Sequence, residues 1–373
     1  MTARPPLDVA IVGCGIIGVN HARAIARTAG LRIAALVDDV AAASERLANL
    51  VVDELGCPRP TVHSDIATLP DSLSVIAICT PSGTHLEIAE QAITHGKHVV
   101  LEKPLEISMG RGRRLAQIAA EAADRGLQVS VISQHRFDPG ARAVADAAHS
   151  GRFGRITSAV ASVPWRRTQE YYDSGSWRGT WALDGGGALM NQGVHTVDLL
   201  LWFLGTPVEL SAQSALLAHE RIEVEDVAVA TLRFESGALA VLHATTASFP
   251  DQPVRVAVHG SAGGGIIESD QLARLWLDGD PVDRSAESVP EGHRLGDDPG
   301  PDAFIEGHAR QWADVVASIR TGRRPGVGVA EALLALAVVR GVYVSATTGR
   351  PVLISDLLDG TVDDADVQTG GTR

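Results

Sequence analysis

Several polar residues have the types and spacing needed to transfer a proton. Asn191, His195 and Asp198 lie four and three residues apart in an otherwise apolar stretch, so a helix would place them on one face. Histidine, with a reference pKa of about 6.5, suits proton transfer at neutral pH. Lys103 follows the apolar run 98–101, where a lysine can hydrogen-bond a hydroxyl and shift its proton. We therefore expect Lys103, Asn191 and His195 to be catalytic.

Each of these residues has a structural alternative. His195 could be a hydrogen-bonded core or capping histidine, and Lys103 could be a surface lysine before a turn limited by Pro104. A metal site on His195 and Asp198 is disfavoured, because no third ligand lies at a recognisable spacing. We expect no metal.

The first forty residues contain a motif that would position a cofactor. The apolar run 7–12 leads into Gly13, Gly15 and Gly18, and the stretch 16–28 is typical of a helix. In a strand-turn-helix unit these glycines permit a tight turn, a close approach of backbone to pyrophosphate, and close packing of helix on strand. The N–H groups at the start of the helix favour phosphate. The pattern predicts a dinucleotide site.

The choice of dinucleotide depends on the end of the second strand. Asp38 follows the apolar run 32–37, at the distance from Gly18, about 20 residues, where a carboxylate accepts both ribose hydroxyls. Asp39 adds a second negative charge where a 2′-phosphate would lie. The charges favour NAD over NADP.

Loops after later strands should complete the cofactor site. Thr80, Pro81 and His85 follow the buried run 74–79, at the sheet edge where cofactor crevices form, although His85 could be only a first-turn residue of the next helix. The expected cofactor-binding residues are Gly13, Gly15, Ile16, Ile17, Gly18, Asp38, Thr80, Pro81, His85, Glu102, Lys103 and Gln134.

The length and the order of elements predict two domains of α/β class. The 373 residues exceed the roughly 100–200 of one domain. Alternating strands and helices predict a doubly wound parallel sheet over residues 1–133, a Rossmann domain. Long β-type runs predict a mainly antiparallel open sheet in an α+β domain over 134–358. Residues 359–373 are polar and glycine-rich, and we expect a flexible tail.

Charge and cysteine usage narrow the partners and the compartment. The formal net charge of −13 argues against nucleic acid and against an anionic membrane. The three cysteines show no disulfide spacing, and we find no signal peptide and no apolar run near the length of a membrane span. A cytoplasmic protein with reduced thiols is expected.

The window 150–182 is unusual within this acidic chain. It contains five arginines against two acidic residues and five of the nine tryptophans and tyrosines. Aromatic faces stack on sugar rings, and arginine matches phosphate or carboxylate; a subunit contact is the alternative. The expected substrate-binding residues are Lys103, Arg166, Arg167, Tyr172, Trp177, Asn191 and His195.

The motifs together resemble the Gfo/Idh/MocA oxidoreductases over nearly the whole chain, to about residue 355. The resemblance is carried by the segments 13–18, 80–85, 102–104, 134–137 and 185–198, in this order. It implies hydride transfer between a nicotinamide and a hydroxyl or keto carbon of a sugar or cyclitol. It also implies a second domain whose open sheet commonly forms the interface of a homo-oligomer, a dimer or tetramer.

The same resemblance assigns roles to individual residues. Lys103 matches the lysine of the Glu-Lys-Pro motif, and His195 matches the histidine of the catalytic helix. Position 191 is often aspartate in the family, so Asn191 leaves the relay that orients the histidine incomplete, and acid–base work falls to Lys103 or His195.

The resemblance also bears on the substrate. The segment 171–181 resembles members acting on nucleotide-linked sugars, such as the UDP-N-acetylglucosaminuronate 3-dehydrogenases. The alternatives are an inositol or simple-sugar dehydrogenase and a non-catalytic, dinucleotide-binding regulatory protein.

Overall fold

The computed structural model describes residues 4–300, 302–364 and 367. The chain forms two compact units. Of the described residues, the first unit contains 4–105, 113–134 and 302–332, and the second contains 106–112, 135–300, 333–364 and 367.

The first unit is built on a six-stranded parallel sheet of order β3-β2-β1-β4-β5-β6. Its central strands are mainly apolar and mostly buried, as expected where helices cover both faces of a parallel sheet. The strands are β1 (Leu7–Val12), β2 (Leu31–Val37), β3 (Thr61–His63), β4 (Val75–Ile78), β5 (His98–Leu101) and β6 (Val129–Val131). The Rossmann architecture expected from the sequence is confirmed. The strand order reverses beside β1, so a ligand crevice is expected at the carboxyl ends of β1 and β4.

Helices alternate with these strands. They are α1 (Ile16–Arg27), α2 (Ala41–Asp53), α3 (His85–Thr94) and α4 (Met109–Asp124), the last of which continues from the second unit into the first.

The first unit also contains α9 (Ala303–Thr321), which the sequence analysis placed in the second domain. Trp312 on α9 is fully buried, and its indole Nε1–H donates to Nδ1 of His21 on α1 at 3.0 Å. Ile305 and Val315 lie at helical spacing with Trp312 and join the same apolar core. The apolar stripe on α9 therefore packs this helix into the core of the first unit, although α9 comes late in the chain.

The second unit contains an eight-stranded sheet of order β13-β12-β11-β7-β10-β9-β8-β14. It is antiparallel except for the pair β7 and β10, so the expected mainly antiparallel sheet is confirmed. The strands are β7 (Ile156–Pro164), β8 (Pro207–Ala215), β9 (Val227–Phe234), β10 (Leu239–Thr245), β11 (Arg255–Gly260), β12 (Gly264–Glu268), β13 (Gln271–Trp276) and β14 (Val352–Leu353).

One face of this sheet is packed and the other is open. On β9 the side chains alternate between buried and exposed positions along the strand, the pattern of a sheet with one solvated face. The helices are α5 (Pro139–His149), α6 (Gln169–Asp173), α7 (Val194–Leu204), α8 (Ser285–Ser288), α10 (Val329–Thr348), which begins in the first unit, and α11 (Ile354–Asp359). A π-helix, Ala188–Gly193, directly precedes α7.

Helix α10 corrects the expectation that the chain lacks a long apolar run. By length and composition it could cross a membrane, but 72% of its apolar window is buried inside the protein, as in the core helix of a soluble protein.

The end of the chain differs from the expected flexible tail. Asp364 is buried and accepts hydrogen bonds from Arg340 Nε on α10 at 2.6 Å and from the backbone N–H of Met109 at 2.9 Å. The prediction that the chain is flexible from residue 359 onward is therefore wrong for Asp364, which is held in place by these hydrogen bonds. Residues 365, 366 and 368–373 lie outside the described part of the chain.

Candidate active site

The glycine loop between β1 and α1 has the shape that its sequence predicts. Gly13 has φ +94°, and a Cβ there would lie 2.7 Å from the backbone of Cys79. A Cβ on Gly18 would collide with the carbonyl oxygen of Gly13, whereas a Cβ on Gly15 would meet nothing within 4 Å. Gly13 and Gly18 are therefore required for packing. Gly15 borders open space, which suits close approach of a ligand.

The surroundings of this loop fit a dinucleotide. Ile16 is 75% exposed at the start of α1, where the backbone N–H groups favour phosphate. Asp38 accepts hydrogen bonds from the backbone N–H groups of Cys14 at 2.7 Å and Val40 at 2.9 Å, which fixes its carboxylate beside the loop. Asp39 is exposed. Gly15 and α1 would hold the pyrophosphate of NAD, and Asp38 would hold its ribose hydroxyls.

Two cysteines lie near this loop, of which Cys14 is buried and Cys79 is half-buried. Burial raises the pKa of Cys14 to about 12 and that of Cys79 well above its ordinary value, which favours the protonated thiols at neutral pH.

The segment after β4 packs against the segment after β5. Thr80 and Pro81 are half-buried, and the Thr84 hydroxyl donates to Thr80 Oγ1 at 2.8 Å. His85 is fully buried, with Nδ1 at 3.1 Å from the Pro104 carbonyl oxygen and Nε2 at 3.1 Å from that of Thr80. His85 thus braces the two loops. A direct contact of His85 with the cofactor stays a prediction.

Lys103 follows β5 at the same edge of the sheet and is half-buried. The backbone N–H of Lys103 donates to Oε2 of Glu102 at 3.1 Å, and Nε2 of His21 lies 2.8 Å from the other carboxylate oxygen. Glu102 is buried. Glu102 therefore holds the backbone at Lys103 through this hydrogen bond, and a contact of Glu102 with the cofactor stays a prediction.

His308 on α9 completes a buried cluster with Glu102 and His21 that sequence reasoning missed. Its Nε2 lies 3.8 Å from Glu102 Oε1, and ligand atoms of all three residues lie within 4.8 Å of one another. Burial raises the pKa of Glu102, but hydrogen bonds and charge interactions with the two histidines outweigh burial, so the pKa of Glu102 lies well below its ordinary value. Burial also lowers the pKa of His21.

The spacing of this cluster would suit a metal, but the tautomer of His21 argues for a proton network. The Trp312 indole can only donate, so His21 Nδ1 must accept and Nε2 carries the hydrogen that points at Glu102. A metal ion could bind Nε2 of His21 only if that nitrogen carried no hydrogen.

Gln134, the last expected cofactor residue, follows β6 and is buried. It begins a 3-10 turn, Gln134–Phe137, and its contact with a cofactor stays a prediction.

In the second unit, Asn191 and His195 lie on consecutive but different helices. The sequence predicts one continuous α-helix, whereas Asn191 belongs to the π-helix 188–193 and His195 to α7. Asp198 lies on α7 with His195, three residues further along. It is buried and forms a bidentate ion pair with Arg136, at 2.7 Å from Nε and 2.6 Å from Nη2. π-Helical turns occur frequently at functional sites.

His135 is the edge-on neighbour of His195, with ring centroids 5.1 Å apart. Burial lowers the pKa of His135, but Asp270 and Asp138, assisted by Asp198, outweigh it and raise the pKa to about 9. Nδ1 of His135 lies 2.9 Å from Asp138 Oδ2 and 3.4 Å from Asp270 Oδ1. A positive charge at neutral pH therefore lies next to the candidate catalytic histidine.

Buried acidic residues hold the start of the π-helix. Glu225 is fully buried and accepts hydrogen bonds from the N–H groups of Gly187 at 2.8 Å and Leu189 at 2.9 Å and from the Tyr343 hydroxyl at 2.9 Å. Burial raises its pKa to about 7 against these hydrogen bonds. Asp184, also buried, accepts from the side-chain amide of Asn191 at 3.0 Å. Sequence reasoning assigned no role to either acid. Asp184 opens the glycine-rich segment seven residues before Asn191, but this spacing alone does not show which group it accepts from, and Glu225 lies more than thirty residues further along the chain.

Arginine and aromatic side chains of the basic segment stack on one another. We call Trp165, Arg167, Tyr171, Trp177 and Arg178 the arginine–aromatic cluster. Its guanidinium carbons lie between 4.4 and 5.4 Å from the centroids of neighbouring rings. The Tyr171 hydroxyl accepts hydrogen bonds from Arg178 Nη1 at 2.7 Å and from Gln192 Nε2 at 3.3 Å. The cluster is therefore joined to the π-helix at the residue next to Asn191.

Two expected substrate residues lie apart from this cluster. Tyr172 is 5% exposed, and its hydroxyl lies 2.9 Å from Thr246 Oγ1, so it packs in the core. The neighbouring Tyr171, which belongs to the aromatic window but was not among the individually expected residues, joins the cluster. The Arg166 guanidinium stacks on the exposed ring of Phe249 at 4.7 Å.

Family comparisons match both parts of the chain. An oxidoreductase family with an NAD-binding Rossmann fold matches residues 7–131, and the GFO/IDH/MocA C-terminal domain matches residues 141–265. The chain belongs to the GFO/IDH/MocA oxidoreductase family, and its first domain binds NAD.

Individual relatives cover almost the whole chain. Inositol 2-dehydrogenase of Rhizobium meliloti (strain 1021) is 26% identical over 92% of this chain and 98% of that protein. D-Apiose dehydrogenase of Paraburkholderia graminis is 27% identical over 93% and 90%. The crystal structure of the WlbA dehydrogenase from Bordetella pertussis, in complex with NADH and UDP-GlcNAcA, superposes with a TM-score of 0.80 at 29% identity and covers 95% of this chain and 99% of that one.

Proposed function

We propose that this oxidoreductase is an NAD-dependent dehydrogenase of a hydroxyl carbon in an anionic sugar derivative, such as a nucleotide-linked uronate. The observation that carries the proposal is the hydrogen bond from Gln192 to Tyr171, which joins the arginine–aromatic cluster to the helix of Asn191. Side chains suited to bind an anion and a sugar ring are therefore hydrogen-bonded to the helix that carries a candidate catalytic residue.

The chemistry requires a base for the hydroxyl proton. Bound NAD supplies the acceptor for the hydride that leaves the carbon. Lys103 or His195 takes the proton from the hydroxyl oxygen in oxidation and returns it in reduction. Asn191 has no proton to exchange at neutral pH and holds a hydroxyl by hydrogen bonds.

Charge and hydrogen-bonding capacity support an anionic sugar. Stacking occupies the guanidinium faces of Arg167 and Arg178, while the N–H groups at their edges suit phosphate or carboxylate. Gln192 is 7% exposed, and its Oε1 accepts no hydrogen bond from the described residues, so a sugar hydroxyl would satisfy it. The WlbA structure contains UDP-GlcNAcA, a ligand of this chemical class.

The second candidate is an inositol or simple-sugar dehydrogenase. The similarity to inositol 2-dehydrogenase over 92% of the chain favours it. A neutral substrate has no charged group to pair with the two arginines of the cluster. The effect of replacing an arginine on the affinity for substrate therefore distinguishes the two candidate functions.

Calorimetry of the NADH-loaded protein tests the choice. We expect UDP-GlcNAcA to bind more tightly than myo-inositol, and Arg178→Ala to weaken its binding about ten- to hundredfold through loss of a charge-assisted hydrogen bond. Arg178→Lys keeps the charge without the fork and should recover part of the affinity. Arg152→Ala, which removes an exposed ion pair with Asp278, is the matched control. Tighter binding of myo-inositol, unaffected by either change at Arg178, would favour the second candidate.

The open face of the eight-stranded sheet supports a homo-oligomer, a dimer or tetramer. Val160, Val229, Leu239 and Val241 lie on neighbouring strands and are 41–58% exposed. A contiguous apolar patch on a soluble protein marks an interaction surface. A cytoplasmic location and a preference for NAD over NADP complete the proposal.

A further inference from the structure

The side-chain amide of Asn191 is held in one orientation by a buried carboxylate. Its Nδ2 donates to Oδ1 of Asp184 at 3.0 Å. A carboxylate only accepts, so the NH2 group must face Asp184 and the carbonyl oxygen of the same amide must point away from it. Asp184 is 3% exposed, and its Oδ2 accepts from the backbone N–H of Gly179 at 2.9 Å. Both carboxylate oxygens are therefore engaged.

We infer that Asp184 is a positioning residue for the proposed reaction: it fixes the Asn191 amide so that Oδ1 is presented as an acceptor for a substrate hydroxyl. This inference rests on the proposed function only for the identity of that hydroxyl. The hydrogen bond to Asp184 also explains why an amide suits position 191, because an amide can donate to the carboxylate and still offer an acceptor oxygen.

An aspartate at position 191 would place two carboxylates at hydrogen-bond distance. Like charges at such a separation cannot both ionise, so the pair would retain one proton and one of its pKa values would rise. Asp184 interacts electrostatically with Tyr172, and Arg340 donates to the carbonyl of the neighbouring Gly185 at 3.1 Å. Tyr172 and Arg340 stay unchanged in the variants below.

An exchange of the two side chains tests the inference. In Asp184→Asn, the single carbonyl oxygen at position 184 accepts from Gly179 N–H, and the NH2 group takes the place of the oxygen that accepted from Asn191. The Asn191 amide must then turn over to accept from that NH2 group, so its oxygen no longer faces away from position 184. In Asn191→Asp, the two carboxylates repel. In the double variant, the amide at position 184 would accept from Gly179 N–H and donate to the carboxylate at position 191. Both hydrogen bonds are then restored, and an oxygen of residue 191 still faces away from position 184.

We expect each single variant to lower kcat about ten- to hundredfold, as for the loss of one positioned hydrogen bond, and the double variant to recover most of that loss. Asp278→Asn, on an exposed ion pair with Arg152, is the matched control and should have wild-type kcat. A double variant whose loss equals the product of the two single losses would overturn the inference.

A second readout needs no turnover. The unfolding free energy of Asn191→Asp should fall further below that of the wild type as pH rises from 5 to 9, because the shared proton is lost and two buried charges face each other. The exchanged double variant should follow the wild-type pH profile. A deficit of Asn191→Asp that does not change with pH would overturn the pairing.

The two readouts separate failure of the inference from failure of the proposed function. If the wild type transfers no hydride to NAD from any sugar in a panel of neutral and anionic compounds, the proposed function fails. The pH profiles of unfolding still decide whether Asp184 and Asn191 act as a pair. If the wild type is active and the exchange does not rescue it, the inference alone fails.

Discussion

At the residue scale, function depends on which atoms hold protons and which accept them. The glycine loop and Asp38 could be predicted from the sequence, because the roles of their spacing are local to one strand-turn-helix unit. Asp184 and Tyr171 could not be assigned their roles, because their partners are fixed by folding and not by spacing. The resemblance alone would favour aspartate at position 191, whereas Asp184 makes an amide the compatible residue there.

Lys103→Met and His195→Ala should each reduce turnover by about 10²–10⁴-fold, the usual effect of losing a positioned proton-transfer group. Affinity for NAD should stay within a few-fold of wild type, because neither side chain is expected at the adenosine half. Steady-state kinetics and calorimetry measure the two quantities. Wild-type turnover in both variants would remove these residues from the mechanism.

Asp38→Ala should narrow the preference for NAD over NADP. The carboxylate accepts ribose hydroxyls and repels a 2′-phosphate, and Asp38 is fixed by the N–H groups of Cys14 and Val40. Calorimetric titration of both cofactors against the wild type and the variant measures the change. Equal affinities in the wild type would contradict the charge argument.

At the element scale, the helix that carries the candidate catalytic residues differs from its sequence pattern. Spacing predicts one α-helix because Asn191, His195 and Asp198 recur at four and three residues. The π-helix at Ala188–Gly193 is held by Glu225 and Tyr343, which follow it by more than thirty residues in the chain. No local pattern encodes that anchor, so the change of helix type could not be predicted.

His135 connects the turn before α5 with the β12–β13 turn, and its charge should make stability depend on pH. Its folded pKa of about 9 is higher than the unfolded value of about 6.5. Its contribution is therefore complete below about pH 6.5 and is lost as pH rises towards 9. We expect His135→Gln to be destabilised relative to wild type at pH 6, with a difference that shrinks by pH 9.5.

Chemical denaturation across this pH range measures the difference in unfolding free energy. His259→Gln, which removes a histidine at an exposed position, provides a matched control. A difference for His135→Gln that stays constant from pH 6 to 9.5 would contradict the assigned charge.

Trp312→Phe tests the network that joins α9 to α1. It keeps an aromatic ring in the core but removes the N–H that donates to His21 Nδ1. A buried acceptor without its donor costs about 1–3 kcal/mol, so the unfolding free energy should fall by about that amount. Stability equal to wild type would show that the tautomer of His21 does not depend on the indole.

At the scale of the whole molecule, the two architectures follow from hydrophobic patterning. Continuous apolar strands predict the buried parallel sheet, and alternating strands predict the sheet with one open face. The chain order does not predict that residues 302–332 belong to the first unit. Their place there depends on the packing of the apolar stripe around Trp312 against α1.

The open sheet face provides a test of assembly. Leu239→Glu with Val241→Lys should shift the protein towards monomer, because charges replace exposed apolar side chains at the centre of the face. Light scattering coupled to gel filtration measures the mass. The control changes Val282, which is exposed outside this sheet, to Lys. An unchanged mass for the double variant would place the interface elsewhere.

Hydride transfer to NAD from an anionic sugar can be measured as NADH formation under single-turnover conditions. Wild-type protein would be mixed with NAD and either UDP-GlcNAcA or myo-inositol at equal concentration. We expect faster NADH formation with UDP-GlcNAcA, and a rate about ten- to hundredfold lower with this substrate in Arg178→Ala. NADH formation only from myo-inositol, at the same rate in wild type and Arg178→Ala, would show that the substrate is not an anionic sugar.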